Sequence, residues 1–396
     1  MRAKPQRRAG GNNGGNRRGT LERPHPLNGL CPYYTMFPLD FPQRILRGAR
    51  PRQLVVDPFC GRGTTLFAAR ERRLPCYGVD TSPVAVAVSR AKLTRASPAS
   101  VLAAYDALME HPPTPEIPQG LFWRYAYHPE TLATLCSLRA ALLKAHAESH
   151  ELPGITVLRG IALGALHGPL NTGLVPSSYF SNQMMRTFAP KPDYAVRFWR
   201  SGRLTPPWSD IRAVIARRAD RLLKAVPPMP APGRVIHGDA RHPASYTALR
   251  GAIDWVVTSP PYLGMDTYEV DQWLRLWLLG GPEHPVYRNA NQLCHHDAAT
   301  LARDLATVWD HVAAHASPQI KMVIRFGAIG SRRADYVELL RHSLQKARAP
   351  WRLTTVRAAG SAERPSENEA VTRGKVAGTT AVTLHSTTGP MRLGRL

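Results

Sequence analysis

Short apolar runs alternate along this chain with stretches whose apolar residues recur at helical spacing, the pattern of a parallel α/β sheet. Leu54–Phe59, Cys76–Asp80, Val235–Asp239, Asp254–Thr258 and Ile320–Phe326 are predicted as strands, with Trp351–Val356 and Ala381–His385 closing the chain. Helices are predicted over Thr64–Arg72, Pro83–Thr94, Pro129–Ala147, Gly154–His167, Trp208–Ala225 and Asp297–His315. The segment "AAGSAERPSENEAVTRGKVAGTT" (358–380) is polar without periodicity and reads as a long mobile loop. The second and third strands are separated by residues 95–234, far more than a crossover needs. The spacing therefore predicts a mainly helical insertion between strands 2 and 3, with its own task or its own subdomain. The expected divisions are a basic arm (1–24), a first part of the α/β domain (25–95), the insertion (96–234) and the second part (235–396). No internal repeat is visible.

Composition narrows this picture. The chain has 396 residues, 43% of them hydrophobic, enough for a large core, and no run approaches the ~20 apolar residues of a membrane span. Its start, "MRAKPQRRAGGNNGGNRRGT", lacks the apolar stretch of a secretory signal and reads as a disordered basic arm. Five cysteines (Cys31, Cys60, Cys76, Cys136 and Cys294) without CxxC spacing signal neither a disulfide framework nor a zinc site, which points to the cytoplasm. "CHH" (294–296) is the only metal-like cluster, and it reads better as a plain loop, so no metal is expected. The net charge is +24 (52 Lys and Arg against 28 Asp and Glu). An Arg-, Ala- and Pro-rich composition accounts for part of that, but the excess suits a polyanionic partner, nucleic acid first.

Two stretches carry chemistry. In "LVVDPFCGRGTTLFAA" (54–69) an apolar strand ends in Asp57, turns through Gly61-x-Gly63 and enters a helix at Thr64 and Thr65. Glycines let backbone approach a ligand closely, and a sheet's carboxyl edge is where α/β proteins hold cofactors. "CYGVD" puts Asp80 at the end of the next strand, where a carboxylate can hold ribose hydroxyls. Leu66 stands where a dinucleotide fingerprint has its third glycine, which favours a mononucleoside-type cofactor. "VIHGDA" (235–240) places a third acid, Asp239, at a strand end, where it is equally suited to capping a helix. The second stretch, "VVTSPPYLG" (256–264), is a strand stopped by two prolines.

Together, "DPFCGRGTT" and "TSPPY" resemble the S-adenosylmethionine-dependent amino-methyltransferases of DNA. The Ser before Pro-Pro-Tyr is most similar to the N4-cytosine branch; the N6-adenine branch more often has Asp or Asn there. "CPYYTMFPLDFPQRIL" (31–46) resembles the family's N-terminal motif, and "YEVDQWLRLWLLG" (268–280) is similar to its helix after the catalytic loop. The resemblance implies a Rossmann-like seven-stranded methyltransferase sheet with helices on both faces. It implies S-adenosyl-L-methionine as cofactor, held by Thr35, Phe37, Asp57, Phe59, Cys60, Gly61, Gly63, Thr64, Thr65, Asp80, Thr81, Ser82, Asp239 and Ala240. Catalysis falls to Ser259, Pro260, Pro261 and Tyr262. The implied partner is double-stranded DNA in the nucleoid, with room for a cognate restriction endonuclease.

The chemistry fits these residue types. An exocyclic base amine is a poor nucleophile because its lone pair is delocalised into the ring. It needs positioning and fixed acceptors, which Ser259 Oγ and the Pro260 carbonyl can offer on a proline-stiffened turn. Attack on a sulfonium methyl then needs mainly proximity, and Tyr262 can stack on a base taken out of the duplex. For reading the target, "RTFAPKPDYAVRFWRSGR" (186–203) interleaves bases with aromatics. Arg186, Lys191, Arg197, Trp199, Arg200 and Arg203 are its expected DNA contacts, against the alternative of a helical lid with core aromatics. N6-adenine methylation, an RNA amino-methyltransferase and an inactive DNA-binding module remain as alternatives.

Overall fold

The computed structural model describes residues 25–32, 37–169, 177–224, 233–263, 270–286, 293, 297–329, 335–358 and 376–386. Its strands are β1 (Leu54–Asp57), β2 (Cys76–Asp80), β3 (Gly233–His237), β4 (Ile253–Thr258), β5 (Ala316–Ile329), β6 (Trp351–Ala358) and β7 (Val376–Ser386). They form one sheet in the order β3-β2-β1-β4-β5-β7-β6. The first five run parallel, while β7 lies antiparallel between β5 and β6. Parallel strands at β1, β2 and β4 require all three to leave the sheet at the same edge, and that edge carries both motifs.

The helices are α1 (Asp40–Ile45), α2 (Thr64–Glu71), α3 (Pro83–Leu93), α4 (Pro98–Glu110), α5 (Leu121–Ala126), α6 (Pro129–Ala147), α7 (Pro153–Ala165), α8 (Pro192–Ser201), α9 (Ile211–Leu223), α10 (Trp273–Leu278), α11 (Ala298–Ala314) and α12 (Tyr336–Lys346). Several ends differ from those expected, for local reasons. The first strand stops at Asp57 rather than Phe59, because Pro58 has no N–H to continue the ladder. The helix expected from Trp208 starts at Ile211, because Asp210 caps it by accepting the Ala213 amide (3.1 Å). The α7 helix stops at Ala165; His167 beyond it is pinned by its Nδ1 to the Met185 carbonyl (2.6 Å). The segment expected to be a loop contributes Ala358 to β6 and 376–380 to β7; 359–375 lie outside the described residues.

Strand alternation sorts side chains onto two layers. Val56, Val256, Met322 and Ile324 face α11 and α12 and pack with Leu305, Trp309 and Leu340. Val55, Val257 and Val323 face the other layer, where α2, α3 and the helices between β2 and β3 share a single buried cluster reaching Trp199 and Trp273. The helical block thus shares its core with the sheet. Among the described residues no helix is long and apolar enough to cross a membrane.

Close packing of α7 depends on glycine. A Cβ at Gly164 would collide with the Leu30 carbonyl and with Arg218 Nη2, which donates to that carbonyl (3.1 Å). Gly164→Ala is expected to destabilise the protein by about 2 kcal/mol, the cost of overpacking. Gly29→Ala, where a Cβ meets nothing within 4 Å, should stay close to wild type in the same urea titration.

Candidate functional site

Three segments leave the carboxyl edge side by side: 58–63 after β1, 81–82 after β2 and 259–263 after β4. The first is a tight turn in which Phe59 N–H donates to Asp57 Oδ1 (3.1 Å), Cys60 N–H to the Val79 carbonyl (3.0 Å) and Gly63 N–H to the Cys60 carbonyl (2.7 Å). Gly61 (φ +50°) and Gly63 (φ +74°) both adopt left-handed backbone. From α3, Ser89 Oγ donates to the Gly61 carbonyl (2.8 Å) and sits 2.6 Å from where a Gly63 Cβ would lie. Gly61 itself borders open space, since a Cβ there would meet nothing within 4 Å.

Asp80 joins the second segment to the first. One carboxylate oxygen accepts Gly61 N–H (2.7 Å), the other Ser82 N–H (2.9 Å). Burial pushes this carboxyl up, and the two amide bonds counter part of that. Each oxygen keeps a second acceptor site, which is what a pair of ribose hydroxyls needs. Ser82 is also the N-cap of α3, its Oγ accepting Ala85 N–H (3.4 Å). Exposed Thr81 contributes its carbonyl, paired with the His237 ring (2.9 Å).

The third segment is tied to the first by two hydrogen bonds, one between the ends of neighbouring strands and one from α2 to β4. Thr258 Oγ1 donates to Asp57 Oδ1 (2.6 Å), and Thr65 Oγ1, in the first turn of α2, donates to the Val257 carbonyl (2.9 Å). Asp57 is fully buried, and its Oδ2 has no hydrogen-bond partner among the described residues. Burial lifts its carboxyl to about 7, against the lowering effect of its hydrogen bonds, that from Thr258 first. Just beyond, Ser259 Oγ and Tyr262 Oη lie 3.4 Å apart. Pro260 is buried, Ser259, Pro261 and Tyr262 half-buried. Tyr262 meets Phe326 edge-on at 6.1 Å, and half-buried Phe59 meets Trp309 edge-on at 6.3 Å.

Other expected cofactor residues are placed less directly. Asp239 follows β3, but its carboxylate is engaged by Arg241 through the guanidinium (2.6 Å) and the backbone amide (2.8 Å), and Arg241 also reaches Asp304 (3.1 Å). Desolvation raises Asp239, and the Arg241 bonds and charge outweigh that and hold it low. Ala240 is buried, with its carbonyl accepting from Tyr246 Oη (3.0 Å). Cys60 and Thr64 are buried in the turn and the start of α2. Phe37 meets Phe41 edge-on at 5.6 Å, and Arg325 of β5 lies over the Phe41 ring (5.2 Å). Thr35 lies outside the described residues, as does "CHH" at 294–296.

The expected DNA contacts divide. Trp199 is a core residue, which corrects its assignment: it is 1% exposed, packs on Phe122 (5.5 Å) and donates its indole N–H to the Gln183 carbonyl (3.1 Å). A groove wedge must be exposed, and Trp199 is not. Arg186 gives its carbonyl to Arg275 (2.7 Å). Lys191, Arg197, Arg200 and Arg203 are exposed. Not all of the positive charge is open to a polyanion, because Arg62, Arg70, Lys92, Arg218, Arg275 and Arg325 are buried. Sequence reasoning missed Thr258 and Ser89 as parts of the site. The only signal for Thr258 was a hydroxyl ending an apolar strand, and it acquires meaning only once β4 is known to neighbour β1.

Residues 8–90 match the family model N6_N4_Mtase, described as a DNA methylase. That match spans about a fifth of the chain and supports an amino-methyltransferase family, with methyl transfer as its chemistry, without separating cytosine N4 from adenine N6. No curated protein matches the chain. Among solved structures, TrmN from Thermus thermophilus is 11% identical with a TM-score of 0.32, covering 88% of this chain and 48% of its own. The rRNA methyltransferase aviRa from Streptomyces viridochromogenes is 15% identical (TM-score 0.30; 90% of this chain, 88% of its own). The modification subunit of a putative type I restriction enzyme from Vibrio vulnificus YJ016 is 9% identical (TM-score 0.34; 90% and 45%). This chain therefore spans about half the length of the first and third, and similarity at this level carries no argument about activity.

The buried carboxyl predicts a pH effect. Unfolded, Asp57 loses its proton near 3.8; folded, near 7. The folded state thus holds the extra proton between these values, and stability falls as pH rises through that window and levels off above it. Asp57→Asn has no charge to bury, so its stability relative to wild type in urea should be clearly higher at pH 8 than at pH 5. An offset equal at the two pH values would contradict this.

Proposed function

We propose that this chain transfers the methyl group of S-adenosylmethionine to the exocyclic N4 of cytosine in double-stranded DNA, on a base turned out of the helix. The observation that carries the proposal is the direct hydrogen bond between the two motifs, Thr258 to Asp57, which puts a cofactor turn beside a Ser-Pro-Pro-Tyr loop. The cofactor turn fits a nucleoside: Gly61 leaves open space, Asp80 keeps free acceptor sites, and a buried carboxylate oxygen of Asp57 has no partner among the described residues. Residues 25–95 and 235–396 together form this site in the proposal.

When bound, the cofactor supplies an electrophilic methyl on a sulfonium. The chain's own residues bind and orient the base. Ser259 Oγ and the Pro260 carbonyl accept the two amine N–H bonds, drawing the nitrogen lone pair out of conjugation and toward the methyl; the new N–C bond replaces the methyl's bond to sulfur, and one amine proton leaves by way of the Ser259 hydroxyl to bulk water. Tyr262, braced edge-on by Phe326, offers its ring to the base. The half-buried position of this loop limits water around the amine. Ser before Pro-Pro-Tyr, where the adenine branch more often has Asp or Asn, favours cytosine; adenine N6 is the near alternative, and its amine would occupy the same acceptors.

Tritiated-methyl transfer followed by nucleoside analysis tests the reading: label is expected in N4-methylcytosine of duplex DNA. Label in N6-methyladenine would move the target base, and label confined to RNA would overturn the proposal. Asp80→Ala should weaken cofactor binding about tenfold or more by calorimetry, through loss of charge-assisted bonds. Ser259→Ala should lower turnover about 100-fold at unchanged cofactor affinity; near-normal turnover would remove Ser259 from its role.

A further inference from the structure

One helix presents a surface that the proposed chemistry does not use. On α8, Ala195 and Trp199 point inward one turn apart, and the opposite arc is exposed. Tyr194 (60% exposed) and Phe198 (55%) stand next to each other on one side of that arc, at i and i+4. Arg197 and Arg200 flank them on one side, with Lys191 and Arg203 exposed at the two ends. Residues 186–203 hold five bases and a single acid, Asp193. Among the described residues neither Arg197 nor Arg200 is paired with a carboxylate. Two large aromatics left in water beside two guanidiniums that no carboxylate neutralises are costly unless something covers them.

The helix is also firmly mounted. Trp199 packs on Phe122 of α5 (5.5 Å), Phe122 on Trp273 of α10 (4.9 Å), and Trp123 on Trp277 (4.6 Å). The Trp273 indole donates to the Pro190 carbonyl, two residues before α8 (3.2 Å). Buried Arg275 donates to the carbonyls of Arg186 (2.7 Å), Thr187 (3.3 Å) and Leu163 (3.2 Å) and to Gln272 Oε1 (2.5 Å). Among the described residues, the mounting element α10 is the first α-helix after the Ser-Pro-Pro-Tyr loop.

We propose that the outward face of α8 is the docking surface for duplex DNA, its arginines on phosphates and Tyr194 and Phe198 against the groove wall. The proposal rests on the methyl-transfer reading for its choice of DNA, and on charge complementarity and exposed aromatics for its location. The buried aromatic cluster and Arg275 then hold the bound duplex at a fixed distance from the helix that follows the catalytic loop.

The test is fluorescence anisotropy of labelled duplex DNA against a salt series, with a duplex RNA of the same sequence as competitor. Arg197→Ala/Arg200→Ala should lower the slope of log affinity against log salt by about 2, one per lost phosphate contact. Tyr194→Ala/Phe198→Ala should weaken binding at an unchanged slope. Both pairs are exposed, so thermal unfolding and cofactor calorimetry should match wild type. Unchanged slope and affinity in both variants would overturn the docking face, and preferential capture of the RNA would overturn DNA as its occupant. Duplex binding with the expected slope change, but no methyl transfer by wild type, would support the face and sink the methyl-transfer reading instead.

Discussion

The Thr258 hydroxyl and the Asp57 carboxyl meet at 2.6 Å where two parallel strands end, and the geometry of the site depends on that contact. Each residue is the last of its strand, so the bond fixes where the cofactor turn begins relative to where the Ser-Pro-Pro-Tyr loop begins. Thr65 repeats the link one turn into α2, by way of the Val257 carbonyl. A fully buried carboxyl is expensive to ionise, and its raised proton affinity expresses that cost. Among the described residues, donors reach one of its oxygens and none reaches the other. That imbalance is what one expects of a group placed for a site rather than for stability.

Around this point the fold is organised to leave one edge open. α11 and α12 cover one face of the sheet; α2, α3 and the helical block cover the other. Glycines at 160 and 164 let α7 approach α3 and the Leu30 segment closely, and buried Arg218 and Arg275 satisfy carbonyls that the irregular segments leave over. Among the described residues six Lys and Arg side chains are therefore internal, and most of the cations stay outside the core. Exposed cations gain significance by contrast, and on α8 they surround exposed aromatics.

The strand pattern was legible because buried parallel strands are short apolar runs with sharp ends. "LVVDPFCGRGTT" could be read locally because its turn needs glycine for its own backbone. Thr258 could not, because its role comes from a neighbour about 200 residues away that pairing alone reveals. Trp199 misled for the opposite reason. Its sequence neighbours are Arg and Phe, and only the packing of α8 on α5 shows that it faces inward while Phe198 beside it faces out. Asp239 looked equivalent to Asp80 as a strand-end acid, yet Arg241 two residues on occupies it. The short helices α1, α5 and α10 were too brief to show a period, and α10 was anticipated only through its resemblance to a family motif.

The most direct test of the link between cofactor turn and catalytic loop is the single-turnover rate of methyl transfer to duplex DNA by Thr258→Val. The valine keeps the shape of the threonine and removes only the bond to Asp57. A rate about tenfold below wild type is expected, corresponding to a lost buried hydrogen bond, at unchanged cofactor affinity. A rate equal to wild type would show that the two motifs hold their positions without that bond, and would contradict the account.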